Sequence, residues 1–149
     1  PVLQKLIVGC WYDTTIVSAC QRCSSLKELS LSFVHCSLNS SMGEMADIWI
    51  GIGRLLHKTS ALACLDIDIP FSWNTTKSDW ATVAEAMKEN KTLKRLAIGS
   101  IYKVDVAAFC QILKKDNYTL EALDVLPDTG INTTELDFYL SLNKAGRAK

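Results

Sequence analysis

The sequence predicts an α/β fold: a solenoid of about five strand-helix units, with a parallel sheet on the concave face and helices on the convex face. Three observations carry this. The spacing L-x-x-L-x-[LIV] recurs at Leu3-Leu6-Val8, Leu26-Leu29-Leu31, Leu62-Leu65-Ile67, Leu93-Leu96-Ile98 and Leu120-Leu123-Val125. The copies start 23 to 36 residues apart, the length of a unit that runs out along a strand and returns along a helix. Inside each copy apolar residues alternate, whereas between copies they recur every three or four positions, so the period switches from strand to helix and back.

The first strand candidate, residues 2–8, directs Leu3, Leu6 and Val8 inward and Lys5 and Ile7 outward; a short return leg, Thr14 to Cys23, follows. The second strand, Leu26 to Leu31, leads through Phe33 to Leu38 and the polar loop Asn39 to Gly43 into a helix from Glu44 to His57. The apolar stripe of that helix is Met45, Ile48, Ile52, Leu55 and Leu56, with Trp49 beside it, while Gly51 and Gly53 each cost about 1 kcal/mol relative to Ala. The third strand, Leu62 to Ile67, ends by Pro70, which lacks an N–H for the ladder. A loop through Trp73 to Thr76 leads to Ser78 as the expected N-cap of a helix that buries Trp80, Val83, Ala84 and Met87. After the fourth strand, Leu93 to Ile98, a helix turns Val106, Phe109, Ile112 and Leu113 inward and ends on Lys114 and Lys115, which complement its dipole. Short polar turns, Lys58 to Ala61, Asn90 to Thr92 and Asn117 to Thr119, precede three of the strands. Past the fifth strand, Leu120 to Val125, come a turn at Pro127 to Gly130, a capping-box spacing at Asn132 and Glu135, a helix burying Leu136, Tyr139 and Leu140, and a polar, basic tail from Asn143.

Composition supports one folded domain over residues 1–149, since apolar residues make up 48% and charged residues 21%, with three prolines. Sixteen basic residues balance sixteen acidic ones, which leaves no electrostatic footprint for nucleic acid or an anionic membrane. The most apolar stretch, Ile48 to Leu56, is short of a membrane span and contains Arg54. Because Leu3 opens the first repeat directly after Pro1 and Val2, the expectation is a C-terminal fragment of a longer chain, whose N-terminal edge packs on upstream repeats and frays first without them. Cys10, Cys20, Cys23, Cys36, Cys64 and Cys110 follow no repeat spacing and suggest reduced thiols and a cytoplasmic setting. Cys20-x-x-Cys23 lacks a second pair of ligands, so neither a metal nor a cofactor is expected.

The repeats resemble the ribonuclease-inhibitor-like class of leucine-rich repeats, found in NOD-like receptor arms, the Ran GTPase-activating protein and tropomodulin. The resemblance rests on the five L-x-x-L-x-[LIV] strands and on His35-Cys36-Ser37-Leu38, which matches the C-x-L step after a strand; Trp11, Pro70, Ile101 and Asp128 stand near that place in other units. It implies a protein-interaction module that binds on its concave face. It also leaves open a GTPase-activating role, for which Arg95 is the one arginine on that face.

Parallel strands place the residues between the consensus leucines on the concave face, and Lys5, Glu28, Ser30, Asp66, Asp68, Arg95 and Asp124 are the candidate partner-binding residues there. Glu28, Asp66, Asp68 and Asp124 suggest an acidic patch that receives a basic protein surface; charges that keep an exposed sheet soluble are the alternative. N-x-[ST] occurs at Asn39, Asn74, Asn90, Asn117 and Asn132, which read either as turn residues or as glycosylation sites of a secreted protein. His35 and His57 have no nucleophile beside them, and Gly51-Ile52-Gly53 lies inside a helix pattern and not after a strand, so no catalytic constellation is expected.

Overall fold

A computed structural model describes residues 3–10, 14–33, 42–68, 77–98, 106–125 and 132–147. Five strands, β1 (Lys5–Cys10), β2 (Glu28–Phe33), β3 (Cys64–Asp68), β4 (Arg95–Ile98) and β5 (Ala122–Val125), alternate with five helices. The helices are α1 (Thr14–Cys20), α2 (Met42–Lys58), α3 (Lys77–Glu89), α4 (Val106–Lys115) and α5 (Thr134–Lys144). The strands form one parallel sheet in chain order. Its register aligns Leu6, Leu29, Leu65, Leu96 and Leu123 across all five strands. Alternation decides the two faces: Leu29, Leu31, Leu65, Ile67, Leu96 and Ile98 are buried with the helix side chains Val17, Ile52, Leu55, Val83, Met87, Phe109 and Leu113, while the other face stays open.

The strands start two residues later than the L-x-x-L spacing suggests. The consensus leucines Leu26, Leu62, Leu93 and Leu120 precede the ladder, yet all four are 0% exposed. The cause is a hydrogen-bond pattern repeated at every unit boundary, in which one upstream carbonyl accepts two consecutive downstream amides. The Gln4 carbonyl takes Lys27 and Glu28, Lys27 takes Ala63 and Cys64, Ala63 takes Lys94 and Arg95, and Lys94 takes Glu121 and Ala122. Pairing one to one begins only after that convergence, so the leucine sits in the turn and inserts between helix and sheet. Leu3, expected inward, is the exception at 45% exposed, since no unit covers its flank among the described residues.

Helix boundaries bring further corrections. α3 begins at Lys77, so Ser78 is its second residue and not its N-cap. The N-cap of α5 is Thr133, without a side-chain cap bond; Asn132 instead accepts the Thr134 amide at 2.9 Å, so the anticipated capping box does not form. Trp49, placed beside the stripe of α2, is buried in the core. Gly51 and Gly53 have a packing purpose: a Cβ on Gly51 would lie 3.4 Å from Val17 of α1, and one on Gly53 would lie 2.9 Å from the Thr82 methyl of α3. The helix propensity lost there permits α1, α2 and α3 to approach closely. Residues 39–41 and 73–76 of the loops, the segment His35 to Leu38, Pro70 and the turn at 127–130 lie outside the described residues, whereas Met42 and Gly43, expected in the loop, open α2, which runs on to Lys58.

From α2 onward the polar residues ending the helices are interior, whereas Cys23 after α1 is half-buried. Cys23, Thr59, Asn90 and Asn117 each stand three residues before a consensus leucine, and Asn143, in the last turn of α5, continues the series. Asn90 is 4% exposed, Asn117 0% and Asn143 4%. Asn90 donates Nδ2–H to the Leu56 carbonyl at 2.6 Å and accepts the amides of Thr92 and Leu93 at 3.0 and 2.8 Å. Asn117 repeats this one unit on, donating to Met87 and Asn90 carbonyls at 2.7 and 3.0 Å and accepting Thr119 and Leu120 amides at 3.0 and 2.9 Å. Asn143 donates to Asn117 and Leu120 carbonyls at 3.2 and 2.8 Å. The Thr59 and Cys23 side chains bond within their own units, to Leu55 at 2.8 Å and Ala19 at 3.7 Å, so the side-chain ladder ties units together from α2 onward.

The tail read as a polar end is also docked. Arg147 donates to the Leu113 carbonyl and stacks over the Tyr118 ring at 4.5 Å, with Tyr139 at 5.4 Å. Gly146, at φ 81°, supplies the left-handed residue that turns the chain back after α5. The ladder yields a prediction. Asn117→Ala strands two buried carbonyls, the buried Leu120 amide and the half-buried Thr119 amide, so urea denaturation should show a loss of about 3 kcal/mol, whereas Asn132→Ala, exposed with one local bond, should cost about 1 kcal/mol or less.

Candidate functional site

The open face of the sheet is assembled from the outward positions of five aligned strands. One row runs Lys5, Glu28, Cys64, Arg95, Ala122, and the next runs Ile7, Ser30, Asp66, Ala97, Asp124. A third begins Gly9, Ser32, Asp68. Lys5, Glu28, Asp66, Asp68, Arg95 and Asp124 are exposed and Ser30 is half-buried, all seven on the face the alternation assigned them. Lys5, Glu28, Ser30, Asp66 and Arg95 line one shallow cavity of about 170 Å³. Asp68 and Asp124 lie outside it.

Charge on this face is organised in pairs across unit boundaries. Lys5 Nζ meets Glu28 Oε2 at 2.8 Å, and Arg95 Nε meets Asp124 Oδ2 at 3.0 Å. Ser32 donates to Asp68 Oδ2 at 3.2 Å. Just before the strands Lys94 meets Glu121 at 2.9 Å. The expected acidic patch is therefore smaller than its four carboxylates suggest: Glu28 and Asp124 are each countered by a cation, and Asp66 and Asp68 are left without an ion pair among the described residues. Sequence reasoning passed over Lys94 and Glu121, although they occupy the same repeat position one unit apart, the signal that would have paired them. Alternation also directs Ile7 and Cys64 to this face, and although neither was among the candidate binding residues, both line the cavity with the charged ones.

The ion pairs shift their members in the expected directions. The hydrogen bond from Lys5, then its charge, lowers the Glu28 carboxyl below its ordinary value, and the hydrogen bond to Glu28 raises Lys5. The hydrogen bond to Asp124 likewise raises Arg95. Burial raises the Cys20 thiol, and burial followed by the charges of Glu135 and Asp137 raises Cys110. A neutral, buried Cys20 suits core packing and not thiolate chemistry.

A larger groove of about 610 Å³ lies on the helix side between α2 and α3, lined by Ile50, Gly53, Arg54, His57, Glu85 and Glu89 among others. His57 Nδ1 is 3.3 Å from Glu89, and Glu85 is 2.5 Å from Lys88. Neither a serine nor a cysteine is among its described lining residues. Among the described residues no group of His, Cys, Asp and Glu is arranged to hold a metal, and no helix is long and apolar enough to cross a membrane. Cys20, Cys23, Cys64 and Cys110 are free thiols.

Two of the N-x-[ST] sites are settled by the ladder. Asn90 and Asn117 are buried, with Nδ2 donating to backbone carbonyls, so a glycan on either would replace a hydrogen that the fold uses. Asn132 is exposed; Asn39 and Asn74 lie outside the described residues.

The Lys5–Glu28 pair gives a direct test. A lowered carboxyl value means that the contribution of Glu28 is present above the ordinary carboxylate range and is lost as pH falls through the lowered value. Carboxyl carbon NMR should therefore find Glu28 titrating below the ordinary value of a glutamate carboxyl, and Lys5→Gln should move it back up. An unchanged midpoint in the variant would show that the pair does not persist in solution.

No family model matches the chain, and no curated protein matches it. Among solved structures the chain is similar to leiomodin-1 actin-binding site 2, with a TM-score of 0.71 and 17% identity over 95% of this chain and 81% of that one. At that identity the likeness establishes a shared fold, an α/β arrangement of repeated strand-helix units around a parallel sheet.

Proposed function

We propose that the chain is a non-enzymatic protein-interaction module, a leucine-rich-repeat solenoid of the ribonuclease-inhibitor-like type that takes a protein partner on its concave, open sheet face. The observation that carries this reading is the five-strand register, which spreads exposed polar and charged side chains over a continuous surface backed by a fully packed core. A surface of that kind offers shape and charge to a macromolecule but no enclosed, desolvated chemistry. The likeness to leiomodin-1 actin-binding site 2 supports a protein partner and makes actin the first probe. Asp66 and Asp68, the carboxylates without an ion pair, are where a cationic side chain of the partner would add most; Lys5, Glu28, Ser30, Arg95 and Asp124 would set the register around them.

A GTPase-activating role finds less support, because the Arg95 guanidinium is already held by Asp124 and would have to leave it to reach a nucleotide. The free thiols and the buried Asn90 and Asn117 support a reducing, cytoplasmic setting over a glycosylated, secreted one.

Photo-crosslinking tests the binding face. A benzophenone side chain placed at Ser30 or at Asp66 should capture actin or another specific protein, whereas the same group at Lys114 on α4 should not. The Asp66→Lys, Asp68→Lys double variant should weaken binding of the captured protein at least tenfold, about 1.4 kcal/mol. Capture from Lys114 alone, or binding indifferent to the double variant, would overturn the assignment of the face. Acceleration of GTP hydrolysis that depends on Arg95 would overturn the non-enzymatic reading.

A further inference from the structure

We propose that the free edge of β1 is a docking surface for one more strand-helix unit of the same kind, entering as a parallel strand in register with Lys5–Cys10. The burial of equivalent residues is the first ground. Leu3 is 45% exposed where Leu26, Leu62, Leu93 and Leu120 are 0%. Leu6 and Val8 are half-buried where Leu29, Leu31, Leu65, Ile67, Leu96 and Ile98 are at most 2% exposed. Ile7 stands 69% exposed beside them, so two of the four large exposed hydrophobic residues among those described belong to this edge.

The second ground is continuity with the boundaries already in the sheet. At each of them a pair of consecutive amides converges on one upstream carbonyl, and the pair equivalent to Lys27 and Glu28 is Gln4 and Lys5. Among the described residues those two amides meet no such carbonyl. All four boundaries are parallel, and an antiparallel neighbour would alternate its hydrogen bonds and not reproduce the convergence. The occupant therefore has stated chemistry: a strand with apolar residues level with Leu6 and Val8, a β-branched or aromatic residue beside Ile7, and no cation opposite Lys5. A helix following that strand would pack beside α1, at seven residues the shortest of the five.

The test adds such a unit. Residues 62–90 joined directly ahead of Pro1 place an Asn three residues before Leu3, the spacing of Asn90 to Leu93 and of Asn117 to Leu120; residues 93–117 joined in the same way give a second donor. Amide exchange at Leu6, Ile7 and Val8, referenced to Leu96 in the same molecule, should slow at least tenfold in a fused chain. Leu3→Asp should lower the urea midpoint of the fused chain and leave that of the unfused chain nearly unmoved. Exchange unchanged with both donors, or an equal effect of Leu3→Asp in fused and unfused chains, would overturn the proposal. So would a dimer of the unfused chain that Ile7→Lys dissociates, because the occupant would then be a second copy.

Discussion

The order of the later units depends on the buried asparagines at the ends of α3, α4 and α5. A helix C-terminus leaves carbonyls without partners, and a chain turning into a parallel strand leaves amides without partners. Asn90 and Asn117 meet both needs with one planar group, the Nδ2 hydrogens on carbonyls of the preceding unit and Oδ1 on amides of their own turn. Asp would lack the donor and Leu would lack both, which is why a buried polar residue is stabilising here. Burying a leucine contributes roughly 1.5–3 kcal/mol wherever it packs, so the apolar core drives collapse but is indifferent to small slips between units. The ladder is directional and fixes how far each unit is offset from the last.

That offset sets the open face. Because the units are held in register, Lys5 lies opposite Glu28 and Arg95 lies one step from Asp124, and residues far apart in the chain become a patterned surface. The pairs are exposed, so their worth is in organising charge and discriminating partners and not in stability. The ladder weakens toward the N-terminus, from Asn to Thr59 and Cys23, whose side chains bond within their own units. The least tied unit is thus also the one whose edge is open.

The strand register was legible in the sequence because side-chain alternation and the L-x-x-L-x-[LIV] spacing report the same geometry; the outward rows derived from it match the pairing of Lys5 with Glu28, Cys64, Arg95 and Ala122. The strand starts were not legible, because convergence of two amides on one carbonyl leaves no mark on side-chain pattern. Asn90 and Asn117 were visible as turn residues, but composition treats Asn as exposed, and only the third dimension shows the helix end of the preceding unit stacked on it. The acidic patch is smaller than the sequence suggested for a related reason: counting carboxylates along the chain omits the cations that neighbouring units bring to Glu28 and Asp124. Gly51 and Gly53 looked like a cost to α2 until Val17 and Thr82 were seen against them.

The account is tested most directly on the side-chain carboxamides of the ladder. In a dilute sample of the folded chain, hydrogen exchange of the Asn90 and Asn117 Nδ2 protons followed by NMR should be protected to nearly the extent of the Leu96 backbone amide, because release requires separating two units. Asn132, exposed at the start of α5, should exchange as freely as a model peptide. Equal, rapid exchange at Asn90, Asn117 and Asn132 would mean that water reaches these side chains in the native state, and the asparagines would not be what holds the units in register.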